Sequence, residues 1–271
     1  MRTIVHLSDL HFGRADPNLL APLRDAVLAL RPDLVTVSGD LTQRARSAQF
    51  REARAFLDTL PRPQVVVPGN HDVPLYNLCA RFRAPFARYR RHIAAQLEPE
   101  HVDAEIAVLG VNTARALTFK SGRINAAQVE RVRARVCDLP DRVTKLLVTH
   151  HPFDVPQHLG DADQIVGRAA MALAALARCG VDVLLAGHLH ASHTGQTVER
   201  YQIDGFSALV VQAGTATSTR LRGETNSFNV LRVAHPRIAV EPHAWNARTR
   251  RFTPGRAAPY LHTAQGWHPA P

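Results

Sequence analysis

The sequence predicts an α/β protein, in which buried parallel strands alternate with helices. Five short runs rich in Val, Ile and Leu occur within the first 190 residues, and segments with helical periodicity lie between them. Short apolar runs are typical of strands that are buried on both faces, as in a parallel sheet covered by helices. Alternation of such strands with helices therefore indicates the α/β class.

The five apolar runs are predicted to be the strands at the centre of the fold. They cover residues 3–8, 33–38, 64–68, 145–149 and 181–186. Helices are predicted over residues 18–31, 47–60, 125–139 and 167–180. Ser47 and Asn125 are favourable N-cap residues, and Gly180 is a favourable residue for ending a helix.

The pattern changes after residue 195. Short strand-like runs separated by turn residues follow one another there, without helix-length periodicity. We expect these runs to form antiparallel strands of a second sheet that packs on the first. We divide the chain into a main domain over residues 1–245 and a Pro- and Arg-rich tail over residues 246–271, which we expect to be loosely ordered.

The composition is that of a soluble globular protein. Hydrophobic residues make up 45% of the 271 positions and charged residues 21%, which is sufficient for a sizeable core. No apolar run approaches the roughly 18 residues of a membrane span, and the N-terminus has a polar break too early for a secretory signal, so we expect a cytoplasmic protein. The three cysteines are odd in number and form no CxxC pair, which predicts free thiols rather than a disulfide framework or a zinc ribbon.

The chain is strongly basic. Lys and Arg total 33 against 23 Asp and Glu, a net charge of +10, which favours anionic partners of any kind. The densest basic stretch, residues 81–92, interleaves five arginines with three aromatic residues. We favour a helix with solvated arginines and core-facing aromatics for this stretch; a basic flap that faces the substrate and a nucleic-acid surface are the alternatives.

Potential metal ligands follow every one of the five predicted strands. In chain order they are Asp9 and His11, then Asp40, then Asn70 with His71 and Asp72, then His150 and His151, and finally His188 and His190. Because the carboxyl ends of parallel strands open on one crevice, we expect these side chains to meet. Glycines at positions 39, 69 and 187 allow the backbone to turn sharply at these strand ends.

The donor types indicate the kind of metal. Imidazole combined with carboxylate and amide oxygen suits Mn, Fe or Zn better than a thiolate-seeking metal or an all-oxygen Ca²⁺ site. Seven candidate ligands are more than one ion needs, so we expect two divalent or mixed-valence ions that share a bridging carboxylate. Two ions about 3.5–4 Å apart are suited to in-line displacement at phosphorus, which predicts a phosphoester hydrolase.

The motif series resembles that of the calcineurin-like metallophosphoesterase superfamily. D-x-H, GD, GNHD, H and GHxH are all present and in the family's order, over roughly residues 1–235. The stretches GNHDVPLYN, THHPF and QAGTATSTRLRGETNSFNVL are similar to bacterial class III cyclic-nucleotide phosphodiesterases. The resemblance implies a four-layer α-β-β-α sandwich with two mixed β-sheets and a dinuclear metal site at the C-terminal edge of the strands.

The resemblance also implies how the ligands are shared between the two ions. One ion is implied to bind Asp9, His11, Asp40 and His190, and the other Asp40, Asn70, His150 and His188. Asp40 would bridge both ions, and His151 would lie outside the coordination sphere, in the wall of the pocket. His71 is similar to a family histidine that donates to a phosphoryl oxygen or protonates the leaving alkoxide, with Asp72 orienting it and Asn70 helping to hold the developing charge.

The expected function is hydrolysis of phosphodiesters by a hydroxide that bridges the two ions. We favour 3′,5′-cyclic nucleotides or other small phosphodiesters as substrates, because the resemblance within the superfamily is to cyclic-nucleotide phosphodiesterases. A DNA or RNA nuclease, a phosphomonoesterase of the same superfamily and a metal-free binding scaffold are the alternatives. The expected partner is a small molecule rather than nucleic acid or a membrane, and a homodimer is a further hypothesis.

Several polar residues outside the motif series receive their own predictions. We expect His6 to be a core histidine and His193 to lie at the surface, with a contact to the substrate as the alternative for His193. Arg220 and Arg222 are expected to be ordinary surface charges, with a contact to a phosphate or a base as the alternative.

Overall fold

The computed structural model describes residues 1–155, 162–220 and 223–270, and it contains two β-sheets packed face to face with helices on their outer faces. The first sheet contains β1 (Arg2–Leu7), β2 (Leu34–Val37), β3 (Gln64–Val66), β10 (Ser227–Ala234), β11 (Arg237–Asn246), β12 (Arg251–Pro254), β13 (Ala258–Thr263) and β14 (Gly266–Pro269). The second sheet contains β4 (Glu100–Val102), β5 (Ile106–Gly110), β6 (Thr144–Val148), β7 (Val183–Ala186), β8 (His193–Gln196) and β9 (Leu209–Gln212). The α-helices are α1 (Pro17–Leu30), α2 (Ser47–Leu57), α3 (Leu78–Arg83), α4 (Ala87–His92), α5 (Ala126–Val136) and α6 (Ala169–Leu176).

Both sheets are mixed. In the first sheet β1, β2 and β3 are parallel, and β10 pairs with the other side of β1 in antiparallel orientation, followed by β11, β13 and β14. In the second sheet β5, β6, β7 and β9 are parallel, and β4 and β8 form antiparallel edges. The four-layer sandwich with two mixed sheets is therefore confirmed.

Three apolar clusters hold the layers together. The cluster between the sheets combines residues of both, including Ile4 and Leu231 from one sheet and Val148 from the other. On its outer face the first sheet packs against α1 and α2 through residues such as Leu23 and Phe50, and the second sheet packs against α5 and α6. Since side chains alternate across a strand, each central strand contributes to two clusters, which is why the runs are apolar throughout.

All five predicted strands are present, but they belong to two sheets rather than one. β1, β2 and β3 lie in the first sheet, whereas β6 and β7 lie in the second, beside the parallel strand β5, which the sequence pattern did not reveal. The expectation that the segment after residue 195 forms the second sheet by itself is wrong. Its strands extend both sheets, because apolar patterning identifies a buried strand without specifying its neighbours.

The four predicted helices are present; α1 is shifted by one residue at its predicted length, and the other three are shorter than predicted. Asn125 caps α5 as predicted, since its side chain accepts a hydrogen bond from the backbone N–H of Gln128 at 2.9 Å. The N-cap of α2 is Arg46, and Ser47 is the first helical residue. Gly180 has a φ of 64° and ends the turn that follows α6, as predicted. Within the described residues, no helix combines the length and apolar character needed to cross a membrane.

Residues 81–92 form two short helices rather than one, with a break after Arg83. Tyr89 is buried as expected, but Phe82 is 54% exposed. Arg81 is buried rather than solvated, and its guanidinium donates to three backbone carbonyls in the two neighbouring loops. The expected division into solvated arginines and core-facing aromatics is thus wrong at Arg81 and Phe82, because this arginine satisfies carbonyl groups that the loops leave unpaired.

The C-terminal segment is part of the first sheet and not a loosely ordered tail. β12, β13 and β14 all lie beyond residue 246, and Trp267 on β14 is only 1% exposed. The indole Nε1 of Trp267 donates to Asp182 Oδ1 at 2.7 Å. The expectation of loose order is wrong because Pro and Gly are compatible with short edge strands when a large aromatic side chain anchors them in the core.

We expect Trp267→Phe to lower the free energy of unfolding by about 2 kcal/mol. The substitution keeps most of the apolar volume but leaves the buried Asp182 carboxylate without its indole donor. Thermal unfolding followed by circular dichroism should then show a melting temperature about 4–8 °C lower. Trp245→Phe is the matched control, because Trp245 is partly exposed and its indole N–H has no hydrogen bond to a described residue. Equal melting temperatures for the two variants would contradict an anchored C-terminal segment.

The structure pairs two of the three cysteines. Cys137, at the end of α5, forms a disulfide with Cys179, in the turn after α6, and Cys79 is a free exposed thiol. The prediction of three free thiols is therefore wrong. The paired cysteines are 42 residues apart and have no diagnostic spacing, so their proximity follows from the packing of α5 against α6.

Candidate metal centre

The candidate ligands lie at the carboxyl ends of strands from both sheets. Asp9 and His11 follow β1, Asp40 follows β2, Asn70 follows β3, His150 follows β6, and His188 and His190 follow β7. The strand ends are joined across the sandwich, since the backbone N–H of His188 donates to Asp9 Oδ2 at 3.0 Å. The crevice that sequence analysis placed at the edge of one sheet is formed by the edges of two.

Most of the candidate ligands have a backbone conformation that L-residues rarely adopt. Positive φ angles between 49° and 72° occur at Asp9, His11, Asp40, His188 and His190. Such conformations cost about 1–3 kcal/mol each and concentrate at functional sites. The strand ends therefore turn abruptly at the residues whose side chains converge.

Two motif glycines permit this convergence. Gly39 has a φ of +92°, and a Cβ atom there would lie 2.8 Å from both the Gly69 nitrogen and His150 Nδ1. A Cβ atom on Gly69 would collide with the carboxylate of Asp40. The GD and GNHD motifs therefore need glycine because a side chain at either position would separate the loops that carry the ligands.

One group of candidate ligands combines Asp9, His11 and His190. The Nε2 atoms of His11 and His190 lie 3.1 Å apart, and Asp9 Oδ1 lies 3.4 Å from the first and 3.1 Å from the second. Asp9 and His11 are fully buried, and Asp9 Oδ1 has no hydrogen-bond partner among the described residues. A metal ion would satisfy a buried carboxylate oxygen that faces two ring nitrogens in this way.

A second group combines Asn70, His150 and His188. His150 Nε2 lies 3.0 Å from Asn70 Oδ1 and 3.3 Å from His188 Nδ1. Asp40 lies between the two groups, because its Oδ2 atom is 3.4 Å from His150 Nε2 and 3.7 Å from His11 Nε2. A carboxylate in this position can contribute to two metal ions at once.

Two candidate ligands, His150 and His190, have a backbone partner for the ring nitrogen that faces away from the centre. His150 Nδ1 donates to the Ser38 carbonyl at 2.7 Å, and His190 Nδ1 donates to the Arg220 carbonyl at 2.8 Å. A proton held at Nδ1 leaves the lone pair of Nε2 facing the other ligands, as in most metal-binding histidines. These carbonyl groups could not be predicted from the sequence, because a backbone carbonyl leaves no signal in the residue types.

His151 lies beside the centre with both ring nitrogens already engaged. Its Nδ1 atom is 2.8 Å from the Thr113 hydroxyl, and its Nε2 atom donates to the Lys120 carbonyl at 2.7 Å. The neighbouring His150 instead presents an Nε2 atom to the other ligands. The geometry therefore favours His150 over His151 as a ligand.

The electrostatics of the centre couple metal binding to proton release. Burial alone would raise the pKa of Asp40, but the neighbouring His150 and His71 rings hold this pKa well below its ordinary value. Burial lowers the pKa of His188 to about 3, so this ring is neutral and keeps a lone pair. Burial would also lower the pKa of His150, but Asp40 raises it to about 9. Because only a neutral imidazole binds a metal, an ion at His150 would compete with a proton for the Nε2 atom.

His71 and Asp72 do not form the predicted pair. The His71 ring is held from Nδ1 by the Gln43 carbonyl at 3.0 Å, and its backbone N–H donates to Asp40 Oδ1 at 2.8 Å. The Asp72 carboxylate is only 1% exposed and accepts hydrogen bonds from three backbone N–H groups of the loops after β2 and β3. The prediction that Asp72 orients His71 is therefore wrong, because the loops use this carboxylate to pair their own backbone.

Four further polar residues outside the motif series were given predictions from the sequence. His6 is buried with Nε2 2.9 Å from the Ser38 hydroxyl, which confirms a core histidine, and His193 lies in β8. Arg220 is not an ordinary surface charge, since its Nη1 atom lies 3.2 Å from His71 Nε2. Arg222 lies outside the described residues.

Comparisons with known proteins agree with this architecture. A family model described as calcineurin-like phosphoesterase matches residues 2–192. The glycerophosphodiester phosphodiesterase GpdQ of Enterobacter lignolyticus is 30% identical over 59% of this chain and 59% of its own length. The 3′,5′-cyclic adenosine monophosphate phosphodiesterase CpdA of Escherichia coli is 31% identical over 60% of this chain and 58% of its own length. The chain thus matches less than two thirds of the length of either relative.

A longer alignment is found with a cAMP/cGMP dual specificity phosphodiesterase of Mycobacterium tuberculosis, which is 28% identical over 85% of this chain and 75% of its own length. Among solved structures, the purple acid phosphatase PPD1 of yellow lupin superposes with a TM-score of 0.65 and 14% identity, over 90% of this chain and 51% of that chain. At such low identity the structural likeness concerns the fold alone.

Proposed function

The chain belongs to the calcineurin-like phosphoesterase family, and from this premise we propose that it is a metal-dependent hydrolase of phosphodiesters. The observation that carries the proposal is the position of Asp40, whose Oδ2 atom faces His11 on one side and His150 on the other. We propose Asp9, His11, Asp40 and His190 as the ligands of one ion, and Asp40, Asn70, His150 and His188 as those of a second.

The residues fit a pair of divalent ions. Buried nitrogen and oxygen atoms converge from both sides of Asp40, and Asp9 Oδ1 is left without a hydrogen-bond partner among the described residues. Imidazole, carboxylate and amide donors suit Mn, Fe or Zn. When bound, such ions acidify water and neutralise charge on the phosphoryl group.

His71 is proposed to act on the substrate, and Asn70 beside it is proposed as a metal ligand. Since His71 Nδ1 donates to the Gln43 carbonyl, its Nε2 atom is the one placed to exchange a proton with the leaving oxygen. Asn70 presents Oδ1 towards His150 and donates from Nδ2 to the Phe119 carbonyl at 3.4 Å, which supports a role as ligand. Asp72 is proposed to contribute by fixing the loops, because its carboxylate accepts from their backbone N–H groups.

Small phosphodiesters are the proposed substrates, and 3′,5′-cyclic nucleotides and glycerophosphodiesters are the first to examine. These are the substrates named for the relatives, which are 25–31% identical to this chain. A small molecule as partner, a cytoplasmic location and a homodimer remain predictions of the sequence analysis. Light scattering of the purified protein tests the last of them.

Metal removal and replacement test the proposed function. Protein stripped with a chelator should lose hydrolysis of bis(4-nitrophenyl) phosphate, and Mn, Fe(II), Zn or Co should restore it with close to two ions per chain. The same preparations should be assayed with cyclic AMP, 2′,3′-cyclic AMP, a glycerophosphodiester, 4-nitrophenyl phosphate and short DNA. Full activity in the stripped protein would contradict metal dependence. Activity on DNA alone, or on the monoester alone, would favour one of the alternatives.

A further inference from the structure

A basic cavity adjoins the candidate metal centre on the side of Asn70 and His71. Its volume is about 260 Å³, and the side chains of Arg44, Lys120 and Arg220 line it. We refer to these three residues as the cationic rim. The other lining residues that the structure describes are neutral, so this cavity has no acidic side chain within the described part of its wall.

Arg220 links the cationic rim to the centre in two ways. Its backbone carbonyl accepts the hydrogen bond from Nδ1 of the candidate ligand His190 at 2.8 Å. Its guanidinium lies 3.2 Å from Nε2 of His71, the atom proposed to face the substrate. The positive charge of Arg220 is therefore held beside the reacting groups by the same backbone that orients a ligand.

Arg44 and Lys120 face the same cavity from other loops. The Arg44 guanidinium lies 3.5 Å from His71 Nδ1 and 5.7 Å from the centroid of the Tyr76 ring. The backbone of Lys120 is anchored beside the centre, because its carbonyl accepts from His151 Nε2. Its side chain is exposed and is free to reach towards a ligand.

None of the three cations of the rim forms an ion pair with a described carboxylate, although many other arginines of the chain do. Two acidic residues, Asp163 and the candidate ligand Asp40, line the smaller cavity that shares Lys120 and Arg220 with the basic one. The rim therefore carries positive charge that the described protein balances only in part. An anionic ligand is the natural partner of such a group.

A singly charged phosphodiester leaves the positive charge of the cationic rim unbalanced. Two divalent ions together with the carboxylates of Asp9 and Asp40 leave two formal positive charges. A hydroxide nucleophile and a singly charged diester already neutralise these. The three positive charges of the cationic rim are not part of that sum, so the rim can bind a further negative charge on the same substrate.

We propose that the cationic rim binds a second anionic group carried on one ester arm of the substrate. The preferred substrates are then phosphodiesters that bear an additional phosphate or carboxylate, ahead of singly charged diesters such as 3′,5′-cyclic nucleotides. This inference rests on the proposed function and narrows its substrate class.

A pair of chromogenic substrates that differ in one phosphate tests the inference. The metal-loaded enzyme should be assayed with thymidine 5′-(4-nitrophenyl phosphate) and with the same compound carrying a 3′-phosphate. We expect the 3′-phosphate to lower KM about tenfold, which corresponds to about 1.4 kcal/mol of binding. Arg44→Gln, Lys120→Gln and Arg220→Gln should each reduce this preference. Arg46→Gln is the control, because it removes an exposed charge two residues from Arg44 outside the cavity.

Binding to the metal-free full chain gives a readout that does not depend on catalysis. Calorimetry should show tighter binding of thymidine 3′,5′-bisphosphate than of thymidine 5′-monophosphate, and the rim variants should lose the difference while Arg46→Gln keeps it. Equal KM values for the two diesters, with rim variants that behave like Arg46→Gln, would overturn the inference and leave the proposed function standing. Failure to hydrolyse any diester would overturn the proposed function, and the calorimetric difference would still support anion binding by the rim.

Discussion

Asp40→Asn is expected to reduce kcat/KM for a phosphodiester about 10³-fold or more, a loss of about 4 kcal/mol of transition-state stabilisation. Asp40 Oδ2 is the atom between His11 and His150, and an amide nitrogen in its place cannot bind two cations. The Oδ1 acceptor for the backbone N–H of His71 is retained, so the loop geometry should survive. Steady-state kinetics, metal content per chain and thermal unfolding of the same preparation check the prediction.

The control for Asp40→Asn is the same chemical change at an exposed carboxylate. Asp25 is 62% exposed on its side chain and pairs with Arg24, so Asp25→Asn should leave kinetics and metal content unchanged. An Asp40→Asn enzyme with normal turnover and close to two ions per chain would show that Asp40 does not bridge the centre. A variant that has lost activity because it no longer folds is recognised by its melting temperature.

The sequence was sufficient to predict five central strands and the candidate ligands, because both have local signals. A buried strand is apolar over several residues, and a polar residue directly after it must lie at the end of the sheet. Asp40 and the pair His150 and His151 could therefore be identified without knowledge of which strands are neighbours, and the family resemblance then favoured His150. The distance of 3.4 Å between Asp40 Oδ2 and His150 Nε2 could not be predicted, because it depends on how the two sheets stack with their carboxyl ends on one side.

The parts that escaped prediction depend on long-range packing or on the backbone. The carbonyls of Gln43 and Arg220 orient His71 and His190, and they would be present whatever side chains those positions carried. Trp267 anchors a segment whose composition suggested loose order, because a single buried aromatic contact outweighs the local preferences of Pro and Gly. Residues of the same type therefore have different roles, because each role depends on which distant loops come together in the fold.

Asp72 is a residue of this kind, and its replacement has the second large expected effect. Its carboxylate accepts from the backbone N–H groups of Leu41 and Thr42 in one loop at 3.1 and 2.9 Å, and from that of Gly69 in the other at 2.9 Å. Burial and the charge of Asp40 raise the pKa of Asp72 to about 7, and the three backbone hydrogen bonds oppose this rise by stabilising the charged carboxylate. Asp72→Ala leaves three buried donors unpaired, and we expect it to lower the free energy of unfolding by roughly 3–6 kcal/mol.

The two large effects should separate in experiment, because the residues act in different ways. Asp72→Ala is expected to lower the melting temperature by about 10 °C and to lose metal and activity together, whereas Asp40→Asn loses activity at near-normal stability. Asp58→Ala provides the control, since Asp58 is exposed and its ion pairs with two arginines are screened by solvent. If Asp72→Ala instead melts with the wild type and loses only kcat, Asp72 acts on the reaction and not on the loops. The motif GNHD would then contain a catalytic carboxylate, and the hydrogen bonds to the two loops would not explain the need for aspartate at position 72.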